Sequence, residues 1–131
     1  MPTASSQVRV RYAETDKMGF AYYANYFVWF EVARCELLRA LGGTYQEMEA
    51  GGVFLPVVEA HCDYRSPAHY DDDLDISTSG SLLSPARLEF RYDVRRKHNA
   101  TLIATGLTVH AATDSSGKPR RLPLDLRVLL T

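Results

Sequence analysis

The stretch Arg11-Tyr12-Ala13-Glu14-Thr15-Asp16-Lys17-Met18-Gly19-Phe20-Ala21-Tyr22-Tyr23-Ala24-Asn25-Tyr26 gathers a carboxylate, a glycine and an aromatic cluster where a strand pattern gives way to a helical one. A helix start leaves its first N–H groups without partners, and they carry the positive end of the helix dipole. Asp16, at the strand end facing them, sits in a positive local field. The same N–H groups can hold an oxygen as it becomes negative. A carboxylate beside an oxyanion hole is the minimum kit for hydrolysing an ester or thioester. These residues also have a purely structural reading, in which Asp16 caps a turn and the aromatics fill a core.

Other routes to chemistry are missing. The sequence has no G-x-S-x-G elbow, no G-x-G-x-x-G, no phosphate-binding loop and no H-E-x-x-H. His61-x-Asp63 and His69-x-Asp71 each offer two metal ligands, but lone histidines in strands or loops read as structural, and no metal is expected. Asp71-Asp72-Asp73 with Asp75 reads as a solvated turn at a strand entry. Cys35 has no histidine near it in sequence, and it and Cys62 read as small buried hydrophobes, not as a disulfide or a zinc site.

The elements that must position this stretch follow from periodicity. Residues 7–14 alternate, with Val8, Val10 and Tyr12 against Arg9, Arg11 and Glu14, which predicts a half-buried strand. From about residue 24 to Leu41 the period becomes helical. Tyr26, Phe30, Ala33, Leu37, Ala40 and Leu41 share one face, which Phe27, Trp29 and Leu38 widen. An apolar face this broad predicts a helix largely wrapped by other structure, stopped by Gly42-Gly43. Strand patterns then run over Val53–Arg65, Leu74–Leu82, residues 86–95 and Thr101–Thr113, where Gly106 suggests a bulge or bend. In the first of these, Val58, Ala60, Cys62 and Tyr64 share a side. The tail Leu122–Leu130 reads as a last strand or a short helix. One long helix followed by consecutive strands predicts an α+β fold in two layers, with the strands pairing antiparallel and the helix covering the sheet. The second face, with its Arg/Glu alternation, is left either wet or as a subunit interface.

With 131 residues, the chain is expected to form one domain over residues 1–131. Its 46% hydrophobic and 24% charged residues exclude disorder and collagen-like repetition. Fifteen basic against sixteen acidic residues, a net charge of −1, argue against nucleic-acid binding. No apolar run approaches the roughly 18–20 residues needed to cross a bilayer. The short polar stretch Met1–Gln7 has no apolar signal core, so a cytoplasmic location is expected.

The spacing Tyr12-x-x-x-Asp16-x-x-Gly19-x-x-x-Tyr23-Ala24-Asn25-Tyr26, followed by Phe27-Val28-Trp29-Phe30-Glu31-Val32-Ala33-Arg34, resembles the hot-dog-fold acyl-CoA thioesterases. Its nearest branches are the YbgC-type and 4-hydroxybenzoyl-CoA enzymes. The likeness continues through Tyr64–Asp72, Ser84–Phe90 and Gly117–Pro123. It implies an antiparallel sheet wrapped around one long central helix, acyl-CoA as substrate, and pairing to a homodimer or homotetramer with sites between subunits. No metal or bound cofactor is implied. Asp16 falls on the family's catalytic carboxylate, nucleophile or base for water, with Tyr12 and the N–H of Tyr23 completing the catalytic set. Gly19, Phe20, Tyr22, Asn25 and Arg87 are the expected substrate-binding residues, with Trp29 a further candidate for the acyl pocket.

Two departures stand out. YbgC-type members usually carry histidine where this chain has Tyr23, and a tyrosine side chain cannot take a proton near neutral pH as an imidazole can. The 4-hydroxybenzoyl branch has tyrosine there and uses its amide. That branch also has a basic cluster of which only Arg87 remains, leaving Arg95, Arg96, Lys97 and Lys118 as other partners for the carrier's phosphates. Two alternative functions share the scaffold: a module that binds acyl thioesters without cleaving them, and a thioesterase acting on an acyl-carrier protein. Hydration or dehydration of acyl-CoA is disfavoured, because no histidine occurs in residues 1–60.

Overall fold

Aromatic and aliphatic side chains on one face of a long helix meet the inward face of an antiparallel sheet, and that contact organises the molecule. The computed structural model describes residues 2–131. Among these, the chain forms β1 (Thr3–Arg9), a 3-10 turn (Tyr12–Glu14), α1 (Asn25–Ala40), α2 (Tyr45–Ala50), β2 (Val57–Tyr64), β3 (Asp73–Ser84), β4 (Arg87–Arg96), β5 (Leu102–Ala111) and α3 (Leu124–Leu130). The strands make one antiparallel sheet in the order β1-β3-β4-β5-β2, curled around α1. This is the α+β arrangement that the periodicity predicts. No helix among the described residues is long and apolar enough to cross a membrane.

Helix α1 buries Tyr26, Trp29, Phe30, Ala33, Leu37 and Leu38. It stops where expected. Gly42 takes φ +94°, and the N–H groups of Gly42 and Gly43 return to the carbonyls of Arg39 and Leu38, so a left-handed glycine satisfies the last turn. Strand β4 shows the cleanest alternation, with Leu88, Phe90, Tyr92 and Val94 fully buried. Full burial of side chains of this kind contributes about 1.5–3 kcal/mol each.

Several expectations are corrected. The first strand runs over Thr3–Arg9 and not over residues 7–14. The Glu14 carboxylate accepts the N–H of Arg11 at 2.8 Å and folds residues 12–14 into a turn, leaving Glu14 buried and Tyr12 exposed, the reverse of the alternation. Strands β2 and β3 are not neighbours: residues 65–72, including Pro67, cross from one part of the sheet to another, and β2 pairs with β5. A second helix, α2, is capped by Thr44, whose hydroxyl accepts the N–H of Glu47. The acidic run stands at a strand entry as expected, with Asp71 exposed in the turn, and there Asp72 pairs with Arg96 and Asp73 with Arg9 and Lys97. The tail takes the helical option as α3. Cys35 and Cys62 are free and only half-buried, and burial raises both thiol pKa values.

Gly106 marks no bulge. It lies directly beneath α1, where Phe30 stacks on Tyr92 with ring centroids 4.2 Å apart. A Cβ at Gly106 would enter the Phe30 ring and stand 2.9 Å from the His61 carbonyl oxygen. Gly106→Ala is therefore expected to cost roughly 1–3 kcal/mol, the usual penalty for overfilling a packed core. Urea unfolding at fixed protein concentration reads this as a lower midpoint, and an unchanged midpoint would refute the close approach.

Candidate active site

The loop after the 3-10 turn is closed by its own backbone. The Asp16 N–H donates to the Phe20 carbonyl at 2.8 Å, the Gly19 N–H to the Asp16 carbonyl at 3.0 Å, and Thr15 bridges Ala21. Gly19 takes φ +86°, which the reversal requires. Within the loop, Oδ1 of Asp16 accepts the N–H groups of Met18 at 2.9 Å and Phe20 at 3.2 Å. These two bonds fix the orientation of the carboxylate. Among the described residues no hydrogen bond reaches Oδ2, and no arginine or lysine pairs with Asp16.

Helix α1 starts beside this loop with Ala24 at its N-cap and no side chain capping it. Among the described residues the N–H of Tyr23 finds no acceptor. The Tyr23 carbonyl, by contrast, is held: it accepts the Tyr64 hydroxyl at 2.9 Å and the Tyr26 N–H at 3.3 Å. An unpaired amide at an uncapped helix start is the kind of donor that receives developing negative charge.

A groove of about 320 Å³ brings these parts together, lined by Asp16, Phe20, Ala21, Tyr23, Tyr26, Tyr64 and residues 65–67. Its aromatic walls interlock edge to face: Tyr26 meets Tyr64 at 4.9 Å and 89°, and Tyr23 meets Tyr64 at 6.4 Å and 90°. Burial pushes the Tyr26 hydroxyl up to about 12 and raises that of Tyr64, so both stay protonated donors through neutral pH. Residues 65–72 back the groove. Ala68 accepts the Ala21 N–H at 2.8 Å, the His69 ring stands edge-on to Phe20 at 5.3 Å, and Arg96 ties down the Pro67 carbonyl at 2.9 Å.

Of the site residues expected from sequence, Asp16, Phe20 and Tyr23 share this groove. Tyr12 does not line it: its ring is 78% exposed and lies on Tyr70. Tyr22 packs on Tyr23 outside the lining. Gly19 shapes the loop, and Asn25 Nδ2 donates to the Glu14 carbonyl at 2.8 Å. Arg87 opens β4 at the end of the sheet opposite Arg96, remote from Asp16 within the protomer. Trp29 is buried, its indole N–H donating to Glu14, and belongs to the core. Sequence reasoning did not select Tyr26, Tyr64 or residues 65–67. The signals for Tyr64 were its place on one side of the strand pattern with Val58, Ala60 and Cys62, and its position at the head of the Tyr64–Asp72 stretch.

Comparison with known proteins extends this picture. A sequence model of the Thioesterase-like superfamily matches residues 10–130. The chain is 33% identical over 116 residues to the acyl-CoA thioester hydrolase YbgC of Escherichia coli, covering 88% of this chain and 87% of that protein. It is 45% identical over 78 residues to YneP of Bacillus subtilis, a match spanning 60% of this chain and 56% of that protein. Among solved structures, a DHNA-CoA thioesterase from Staphylococcus aureus superposes with a TM-score of 0.88 at 33% identity, over 93% of this chain and 82% of that one.

Proposed function

The chain belongs to the Thioesterase-like superfamily and is an acyl-CoA thioesterase of the hot-dog fold; on that footing we propose that Asp16 is the general base of thioester hydrolysis and that the Tyr23 N–H receives the oxyanion. One observation carries this reading: a carboxylate with one oxygen held by two backbone amides shares a groove with an unpaired amide at an uncapped helix start. In the reaction, Oδ2 of Asp16 takes a proton from water as the water oxygen bonds to the thioester carbon. The carbonyl oxygen becomes negative against the Tyr23 N–H and the start of α1. Collapse restores the carbonyl and breaks the C–S bond, and the departing thiolate takes the proton, leaving acid and free thiol. Tyr64 acts through the Tyr23 carbonyl, keeping that peptide in place.

The working form in this reading is a homodimer joined at β2. Every residue of β2 except Cys62 is exposed, and the strand forms one edge of the sheet, the arrangement that invites pairing with another strand. Antiparallel pairing of two β2 edges would carry the Arg87 end of one protomer to the Asp16 end of the other, because Arg87, Ala111 and Val57 lie at one end and Tyr64 at the opposite end. That is how Arg87 could meet the carrier's phosphates while lying far from Asp16 in its own chain. Acyl-CoA is the substrate class this supports.

The test is a panel of aryl and linear aliphatic acyl-CoA thioesters, with an acyl-carrier-protein thioester as a further arm, read by a thiol reagent. Free thiol is expected from the CoA esters. Aryl groups are expected to be preferred by on the order of threefold to tenfold in kcat/KM, because Phe20, Tyr23, Tyr26 and Tyr64 offer rings for edge or face contact. Binding without thiol release would instead make the protein a sequestering module. Release from the carrier-protein ester alone would replace CoA as the carrier.

A further inference from the structure

Glu14 is a buried acid that the hydrolytic step does not use. It is 5% exposed, and both carboxylate oxygens are engaged: Oε1 accepts the Arg11 N–H at 2.8 Å and Oε2 accepts the Trp29 indole N–H at 3.0 Å. Its backbone carbonyl is engaged twice more, by the Tyr22 N–H at 2.7 Å and by Asn25 Nδ2 at 2.8 Å. Tyr22 immediately precedes Tyr23, and Asn25 opens α1. The loop that presents Asp16 begins at Glu14 and returns at Tyr22. A single residue therefore ties the start of that loop to its end, and ties both to α1 one turn into the helix.

We infer that Glu14 is a positioning residue for the reaction: its carboxylate on Trp29 and its carbonyl on Tyr22 and Asn25 fix the spacing between Asp16 and the Tyr23 N–H. The inference rests on the roles assigned above to those two groups. The Tyr22–Tyr23 peptide, which bears the Tyr23 N–H, lies between the two groups that Glu14 holds: it follows the Tyr22 N–H, and its carbonyl accepts the Asn25 N–H at 3.0 Å. Catalysis is sensitive to such shifts, since a misplacement of about 1 Å can cost on the order of a hundredfold. Asn25 in this account orients the helix start and does not bind substrate. A packing role alone would call for an apolar side chain at position 14, with no charge taken out of water.

The experiment compares Trp29→Phe, Glu14→Gln, their double variant and Asp16→Asn with the parent protein. Trp29→Phe keeps an aromatic ring and removes the indole N–H together with part of the ring volume, so its packing cost is read separately as a lower unfolding temperature. Glu14→Gln keeps the size of the side chain and removes one acceptor. Each is assayed for kcat and KM on the best acyl-CoA of the panel, with circular dichroism and thermal unfolding to select folded protein. The expected result is a fall of about tenfold in kcat with KM changed by less than about threefold in each single variant, and a double variant no slower than the slower single one. A folded variant whose kcat falls by less than about threefold would overturn the inference, since a brace that only stabilises the fold lowers the unfolding temperature and leaves turnover per folded molecule intact. If Glu14→Gln does not fold, Trp29→Phe decides the question alone. Normal kcat in Trp29→Phe beside an inactive Asp16→Asn removes the role of Glu14 and leaves the base in place. Full activity in Asp16→Asn removes the base, and the positioning role with it.

Discussion

Asp16→Asn is expected to hydrolyse acyl-CoA at least about a hundredfold more slowly than the parent protein while folding normally. Loss of a general base typically costs about 10²–10⁴ in rate, and the low end of that range applies when the remaining groups still bind and polarise the substrate. The substitution suits this site. The amides of Met18 and Phe20 both point at Oδ1, so the asparagine carbonyl oxygen takes that position and preserves the loop. Its NH₂ then occupies the place of Oδ2, turning the carboxylate oxygen without a hydrogen-bond partner into a donor. Among the described residues no other acid or imidazole lines the groove to replace it; the closest histidine in the backing loop, His69, packs its ring on Phe20 and lies outside the lining. The fall should appear in kcat, with KM little changed, because the Tyr23 amide and the aromatic walls remain. The measurement is thiol release under saturating substrate, with thermal unfolding run on the same sample. Undiminished turnover in folded protein would remove Asp16 from the chemistry.

The sequence displayed those features of the fold that are local and hid those that depend on distant pairing. The stripe of α1 and the alternation of β4 are written in consecutive residues, and each recurs in the structure with nearly the expected boundaries. The partner of β2 is not written there, because it depends on residues 65–72 crossing the sheet before β3 begins. The candidate site divides the same way. Asp16, Phe20 and Tyr23 lie within one short stretch and one motif. Tyr64 and residues 65–67 reach the groove only because β2 ends beside the start of α1. Glu14 was misread for a physical reason: alternation sorts a carboxylate with the arginines on a wet face, and only the fold supplies the Trp29 N–H that makes its burial tolerable. Gly19 and Asn25, which the resemblance implied as substrate-binding, have backbone tasks in the structure: Gly19 bends the loop and Asn25 bonds the Glu14 carbonyl.

His110 should make the protein lose stability as pH falls from about 6.5 to 4. The ring is fully buried on β5, edge-on to Phe90 at 5.3 Å. Nδ1 lies 2.9 Å from the Leu55 carbonyl oxygen, which can only accept, so Nδ1 carries the proton. Nε2 then accepts the Thr108 hydroxyl at 3.0 Å, and Thr108 in turn accepts the Tyr92 hydroxyl at 2.7 Å. A second proton on His110 would face Thr108 donor to donor and displace its hydroxyl hydrogen. Burial is the main cause that lowers the pKa from 6.5 to about 4; the Leu55 bond opposes it, and the positive charge of Arg34 adds to it. The unfolded chain therefore takes up a proton below pH 6.5 that the folded chain refuses until about pH 4. The contribution is complete above pH 6.5, is lost progressively as pH falls, and levels off below 4. At about 1.36 kcal/mol per pH unit, the loss by pH 4 is roughly 3 kcal/mol. Carboxylates titrate over part of this window too, so the diagnostic quantity is a difference between proteins. His110→Gln can keep a donor toward Leu55 and an acceptor toward Thr108 without titrating. Urea unfolding at pH 7 and pH 4, at one protein concentration, should show the parent losing about 3 kcal/mol more than the variant between the two conditions. Parallel losses in the two proteins would mean that His110 takes its proton as readily folded as unfolded, and the directed chain from Leu55 to Tyr92 would have to be redrawn.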